Sequence, residues 1–142
     1  MKALFFTLLL LPLFAAGTEI SGQERSAVAG QAADVITTYG ALAQGATEAN
    51  PLGPHALLLV KPLVYAAIKA QPKENQAKLF SIFGTAGWAA AANNVCVIAS
   101  GGLCWLVGIV AGIASWQAGA AEREYWELCK RVKHREPKDM EC

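Results

Sequence analysis

An all-α fold in the form of a small helical membrane bundle is what this sequence predicts: three to four packed helices, an N-terminal signal or anchor segment, and an amphipathic C-terminal helix extension. Three observations carry that prediction. Hydrophobic residues make up 54% of the 142-residue chain and charged residues only 16%, against roughly 25% charged in a typical soluble domain. The apolar residues fall in helix-length runs separated by Pro and Gly punctuation. From Glu122 to the end there are six basic and six acidic residues, so about half of all charge sits in one short, wet tail. A net charge of +1 offers no footing for nucleic acid.

The elements follow in order. Residues 1–17, "MKALFFTLLLLPLFAAG", hold an apolar run too short for a comfortable span of about 20 residues. The exit Ala15-Ala16-Gly17 suits a signal peptidase, so the segment reads as a signal peptide or a short uncleaved anchor. Residues 18–27 read as a polar linker. Residues 28–120 form the helical membrane domain. Helix one covers about 28–46 and is interrupted by Gln31, Asp34 and Gln44. The turn "TEANPLGP" ends with Pro54 placed for the first turn of helix two, 54–70. Residues 71–78 read as a polar, basic linker, helix three as 79–99, and "SGG" as a tight turn before helix four, 103–120. In the tail, 121–142, Tyr125, Leu128, Cys129 and Val132 recur at helical spacing opposite charged positions. This amphipathic stretch reads first as a solvated helix extension, and otherwise as one that lies on the membrane surface, pairs with a copy of itself or holds a partner protein.

Charge also orients the chain, since loops on the cytoplasmic side carry an excess of Lys and Arg. Lys69, Lys73, Lys78 and the six basic residues of the tail fall on one side, and the opposite turns have no Lys or Arg. That places the tail in the cytoplasm and the protein in the cell (inner) membrane. A cleaved leader followed by four crossings would put the tail outside, so either helix one lies at or only partly in the membrane, or the leader is not a simple signal, or the charge rule is broken. A central Asp costs ~2.5–3.5 kcal/mol to insert, which makes helix one a poor independent span.

Polar residues crowd into "AADVITTYGALAQGATEANPLG", residues 32–53. Asp34, Thr38, Ala41, Gly45 and Glu48 share a helical face at spacings of four, three, four and three, with Thr37 beside them. Helix two returning antiparallel brings Lys61 near the level of Tyr39, where its long side chain can reach towards Asp34 or be drawn towards Glu48. An intramembrane charge usually faces the bundle interior and pairs. The candidate polar cluster is therefore Asp34, Thr37, Thr38, Glu48, Asn50, Lys61, Asn93 and Asn94. It serves either as a clamp fixing helix packing or as a site for ions or protons.

The order Asp34-x-x-Thr37-Thr38, Gly45, Glu48-x-Asn50-Pro51, Lys61 and Asn94 resembles the small prokaryotic and phage integral-membrane proteins grouped as domain of unknown function 5658. The resemblance covers roughly residues 28–98 and implies a three-helix membrane unit with no assigned activity. The leader, helix four and the charged tail depart from that pattern.

Small residues form a second stripe, Gly101, Cys104, Gly108, Gly112, Ser115 and Gly119, which lets helix backbones approach closely in lipid. It fits either a homo-oligomer face or packing on helix three, where Gly84 and Ala89 to Ala92 offer a matching surface. Cys96 and Cys104 flank the Ser100 turn symmetrically and read as a candidate disulfide or as packing residues. His55 and His134 are far apart, and no metal-binding spacing, P-loop, nucleophile elbow or His-Glu-x-x-His occurs. The expected cofactor set and metal set are therefore empty, and no enzyme activity is expected. Two functional readings compete. One is a non-catalytic binding or assembly component, self-associating or holding a protein partner in the lipid bilayer. The other is a holin-like pore former. A weaker third is an ion or proton conduit through Asp34 and Lys61.

Overall fold

The computed structural model describes residues 21–47, 53–102 and 104–135, and all regular structure among them is helical. Five helices follow one another: α1 Gly22–Ala43, α2 Gly53–Lys69, α3 Lys73–Ser100, α4 Trp105–Ala118 and α5 Ala120–Arg135. The leader and the turn around Glu48, Asn50 and Pro51 lie outside the described residues.

Local sequence explains where each helix starts and stops, and several boundaries differ from expectation. Residues 22–27 belong to α1 and not to a linker. The Ser21 side chain accepts a hydrogen bond from the Glu24 N–H at 3.1 Å, the N-cap arrangement of a Ser-x-x-Glu box. The helix stops at Ala43, ahead of Gly45 with φ +88°. The basic segment read as the 71–78 linker is mostly helix: α3 begins at Lys73 after Pro72, so only residues 70–72 connect α2 to α3. Helix propensity of Lys, Glu and Gln, solvent-compatible at a helix end, wins over their polarity. Gly101, with φ +64°, closes α3 in the left-handed conformation while its N–H bonds the Val97 carbonyl at 2.8 Å. The last apolar helix does not run straight into the tail. It breaks at Gly119, and the tail forms its own helix, α5.

α1 lies parallel to α3, with Ala27 against Gly84 and Gly30 against Gly87. A Cβ on Gly87 would stand 2.6 Å from the Gly30 carbonyl carbon and 2.7 Å from the Gln31 nitrogen. The backbones therefore touch, which only glycine permits. α2 returns antiparallel to α1, pairing Lys61 with Asp34 and Lys69 with Glu24. α4 runs antiparallel to α3 with Gly108 on Ala89 and Asn93, and Gly112 on Ala89 and Thr85. α5 continues along the first turns of α3, where Lys133 pairs with Glu74 at 3.3 Å. Ala27, Ile68 and Phe80 form the buried apolar core, with Tyr65, Leu79 and Phe83 packed around it.

Beside that apolar core, the bundle buries several polar groups and leaves many large apolar side chains exposed. The buried residues of α1 include Gln23, Glu24 and Asp34, whereas Leu59 and Leu63 of α2 and Leu106, Val110 and Ile113 of α4 are exposed, Leu59 to 72% and Val110 to 66%. By length and composition, one helix among the described residues, α3, is long and apolar enough to cross a membrane, and α4 is a shorter apolar helix. At 1.5 Å per residue its 28 residues extend about 42 Å. That narrows the expectation of several independent spans to one helix that meets the criterion alone.

Candidate functional site, a buried polar seam between helices

The α1–α2–α3 junction holds the principal polar cluster. Asp34 is buried, and each of its oxygens has a partner: Lys61 Nζ donates to Oδ2 at 2.5 Å, while Asn94 Nδ2 at 3.2 Å and Thr38 Oγ1 at 3.4 Å donate to Oδ1. Lys61 also donates to the Gln31 carbonyl at 3.3 Å. Asn94 further donates to Thr38 Oγ1 at 2.9 Å and Thr37 Oγ1 at 3.3 Å, and Thr37 in turn donates to the Ala33 carbonyl at 2.8 Å. The Asp34 and Lys61 side chains are only 11% and 12% exposed. A buried charge is tolerated where it is paired and its remaining lone pairs are filled, and that condition is met here.

Of the eight residues expected in the cluster, five meet: Asp34, Thr37, Thr38, Lys61 and Asn94. Asn93 does not join them, because one residue along the helix turns it about 100° away to face Gly108 of α4. Glu48 and Asn50 lie outside the described residues.

A second cluster lies ten residues earlier on α1. Lys69 Nζ donates to Glu24 Oε2 at 3.1 Å, and the Tyr65 hydroxyl donates to Glu24 Oε1. The Tyr65 ring packs on Phe80 with centroids 5.6 Å apart. Beside them Ser81 Oγ donates to Gln23 Oε1 at 2.6 Å, and Arg123 donates to Ser81 Oγ at 3.1 Å and to the Trp116 carbonyl at 2.7 Å. The Arg123 guanidinium stands 3.7 Å above the Trp116 ring, and burial lowers its pKa below the ordinary arginine value. Glu122 Oε2 accepts from the Gln23 N–H at 3.0 Å, so the start of α5 caps the start of α1 with the charge its dipole favours.

None of this second cluster was expected from the sequence. Two signals were present in it: the Ser21-x-x-Glu24 box, and the four-residue spacing of Lys61, Tyr65 and Lys69 on one face of α2.

The small-residue stripe divides. Gly108 and Gly112 are buried against α3, and an added Cβ at Gly119 would collide with the Gln23 side chain. Gly101 is an exposed cap of the turn and Ser115 is half-buried. The glycines of α4 are therefore spent within the chain, and a homo-oligomer contact would have to use other residues. Cys96 and Cys104 are joined by a disulfide across the Ser100 turn. Cys129 is also disulfide-bonded.

Comparisons with known families, with characterised proteins and with solved structures find no match to this chain.

Proposed function

We propose that this chain is a small integral membrane protein that acts by binding, as a non-catalytic assembly component. The observation that carries the reading is the burial of charged groups in a bundle whose large apolar side chains are exposed. Charged groups are paired between helices, while the outer faces of α2 and α4 present Leu59, Leu63, Ile109 and Val110 outward. In lipid such faces meet acyl chains or partner helices, and polar side chains turn inward. A fully bonded Asp34–Lys61–Asn94 group has the character of a clamp: it fixes three helices so that the outer surface keeps one shape. A pore former would need a polar face free to line a lumen. The polar face of α1 is instead closed by α2 and α3, which favours the assembly reading over the holin-like one.

The orientation follows from the two poles of the bundle. Lys69, Lys73, Lys78, Arg131 and Lys133 gather where α2 ends, α3 begins and α5 runs. The opposite pole carries the Cys96–Cys104 disulfide, which belongs in an oxidising compartment. The charge asymmetry and this disulfide support a reading with α5 on the cytoplasmic side of the inner membrane, while the disulfide state of Cys129 in α5 weighs the other way.

Photo-crosslinking tests the binding role. A benzophenone side chain placed at Leu63 or Ile113 is expected to give a protein adduct of one defined mass in living cells, and none when placed at Arg25 near the bundle's end. Adducts to lipid alone, at every position on α2 and α4, would remove the binding role and leave only membrane residence.

A further inference from the structure

We propose that the basic pole of the bundle is a docking surface for anionic phospholipid headgroups, with α5 as its interfacial arm. The inference rests on the membrane reading above and adds to it a ligand class, lipids of net negative charge. It starts from α3, which carries Lys73, Glu74 and Lys78 in its first turns and no charged residue from Leu79 to Ser100. That charge-free stretch is about 33 Å long, a match to a hydrocarbon core of about 30 Å. With the stretch in the core, the turns from Lys73 to Lys78 stand in the headgroup layer.

α5 lies beside those turns. Arg123 bonds Ser81 toward one end of the helix, and Lys133 pairs with Glu74 toward the other. The helix therefore runs through the same layer. Trp116, which has the Arg123 guanidinium over its ring, and Tyr125 stand at the inner edge of that layer, the level at which amphipathic aromatic rings gather. Tyr125, Leu128 and Val132, spaced three and four apart, form one exposed apolar face. From Leu128 to Arg135 the chain has four basic residues and no acidic one. An apolar face flanked by basic side chains is the pattern of a helix seated at the headgroup level.

Charge complementarity names the occupant. Three cations of this pole are matched by acids: Lys69 by Glu24, Lys130 by Glu127 and Lys133 by Glu74. Lys73, Lys78 and Arg131 are exposed and have no acidic partner among the described residues, and exposed Arg25 at the start of α1 adds a further cation. Of the other acids of α5, Glu122 accepts from the Gln23 N–H, and Glu124 is exposed about 10 Å along the helix from Arg131. The pole thus keeps a surplus of positive charge. Basic clusters next to a membrane helix attract anionic lipid, and the attraction fades within a Debye length of the surface.

The test uses the full chain in phosphatidylcholine liposomes that hold a trace of spin-labelled phosphatidylglycerol or spin-labelled phosphatidylcholine. Electron paramagnetic resonance reads the lipid held at the protein surface. The expected result is roughly threefold or greater preference for phosphatidylglycerol, lost in about 1 M salt, where screening is short. The same loss is expected in the combined variant Lys73→Gln, Lys78→Gln and Arg131→Gln. That variant leaves the three ion pairs of the pole and the apolar core untouched, so its thermal unfolding should match the parent chain. Equal retention of the two lipids refutes the docking surface and leaves the membrane reading standing. A preference unchanged in the combined variant overturns the assignment to these cations. Absence of held lipid of either kind refutes the membrane reading and the docking surface with it. A benzophenone side chain at Leu128, photolysed in liposomes containing phosphatidylglycerol, should form lipid adducts. A cross-linked pair of chains would give that face to a second copy and overturn the role of α5.

Discussion

Replacing Lys61 with Met is expected to destabilise the protein by about 3–5 kcal/mol, because it strands the buried Asp34 carboxylate without its countercharge. Asp34→Leu should cost a similar amount, since it strands the Lys61 ammonium and removes the acceptor of Asn94 and Thr38. Joining the two substitutions should recover at least half of the loss. Both charges are then gone, the replacements suit an apolar surrounding, and Asn94 keeps the hydroxyls of Thr37 and Thr38 as acceptors. Unfolding of the single and double variants in detergent micelles measures this directly. A loss below about 1 kcal/mol in both single variants would show that the pair is ornamental and that other contacts hold the three helices.

The second large effect is expected at Gly87. Its α1 neighbours are backbone atoms at 2.6 and 2.7 Å from the position of an added Cβ, and backbone cannot swing aside as a side-chain tip can. Gly87→Ala should therefore cost on the order of 1–3 kcal/mol, and Gly87→Leu should prevent α1 from docking on α3. Gly40→Ala provides the contrast on the same interface. Its added methyl meets only Ile98 Cδ1, at 3.7 Å, and alanine gains up to about 1 kcal/mol of helix propensity. Thermal unfolding of the two alanine variants should shift in opposite directions. Equal shifts would contradict the close parallel packing of α1 on α3.

The Asp34 group was legible because two simple rules meet there. Four-residue spacing puts Asp34 and Thr38 on one face, and an antiparallel return through a short turn brings Lys61 to their level. Asn94 could be named with its neighbour Asn93, but the sequence did not say which faced α1; only the orientation of α3 between two partner helices separates them. Glu24 escaped for a different reason. It sits in a polar stretch that reads as a linker, and its partners Tyr65 and Lys69 are forty-one and forty-five residues away. The same polarity hid the first turns of α3, whose Glu74 is held by Lys133 of α5. The glycines of α4 were visible as a close-packing face, but whether they met α3 or a second copy depended on tertiary placement. The break falls at Gly119, a residue type that marks helix ends locally, but the space that Gln23 takes beside it comes from tertiary placement.

The central proposal is that this bundle sits in lipid, with charges paired between helices and the exposed apolar side chains of α2 and α4 facing acyl chains or partner helices. Labelling the unsubstituted protein in liposomes with a photoactivated, membrane-confined carbene reagent tests it most directly, with the modified residues read by mass spectrometry. The account predicts modification on α2 and α4 at Leu59, Leu63, Ile109, Val110 and Ile113, with Phe80, 1% exposed, left untouched. A protein that carries no label on α2 or α4, or whose label is confined to α3, would contradict it.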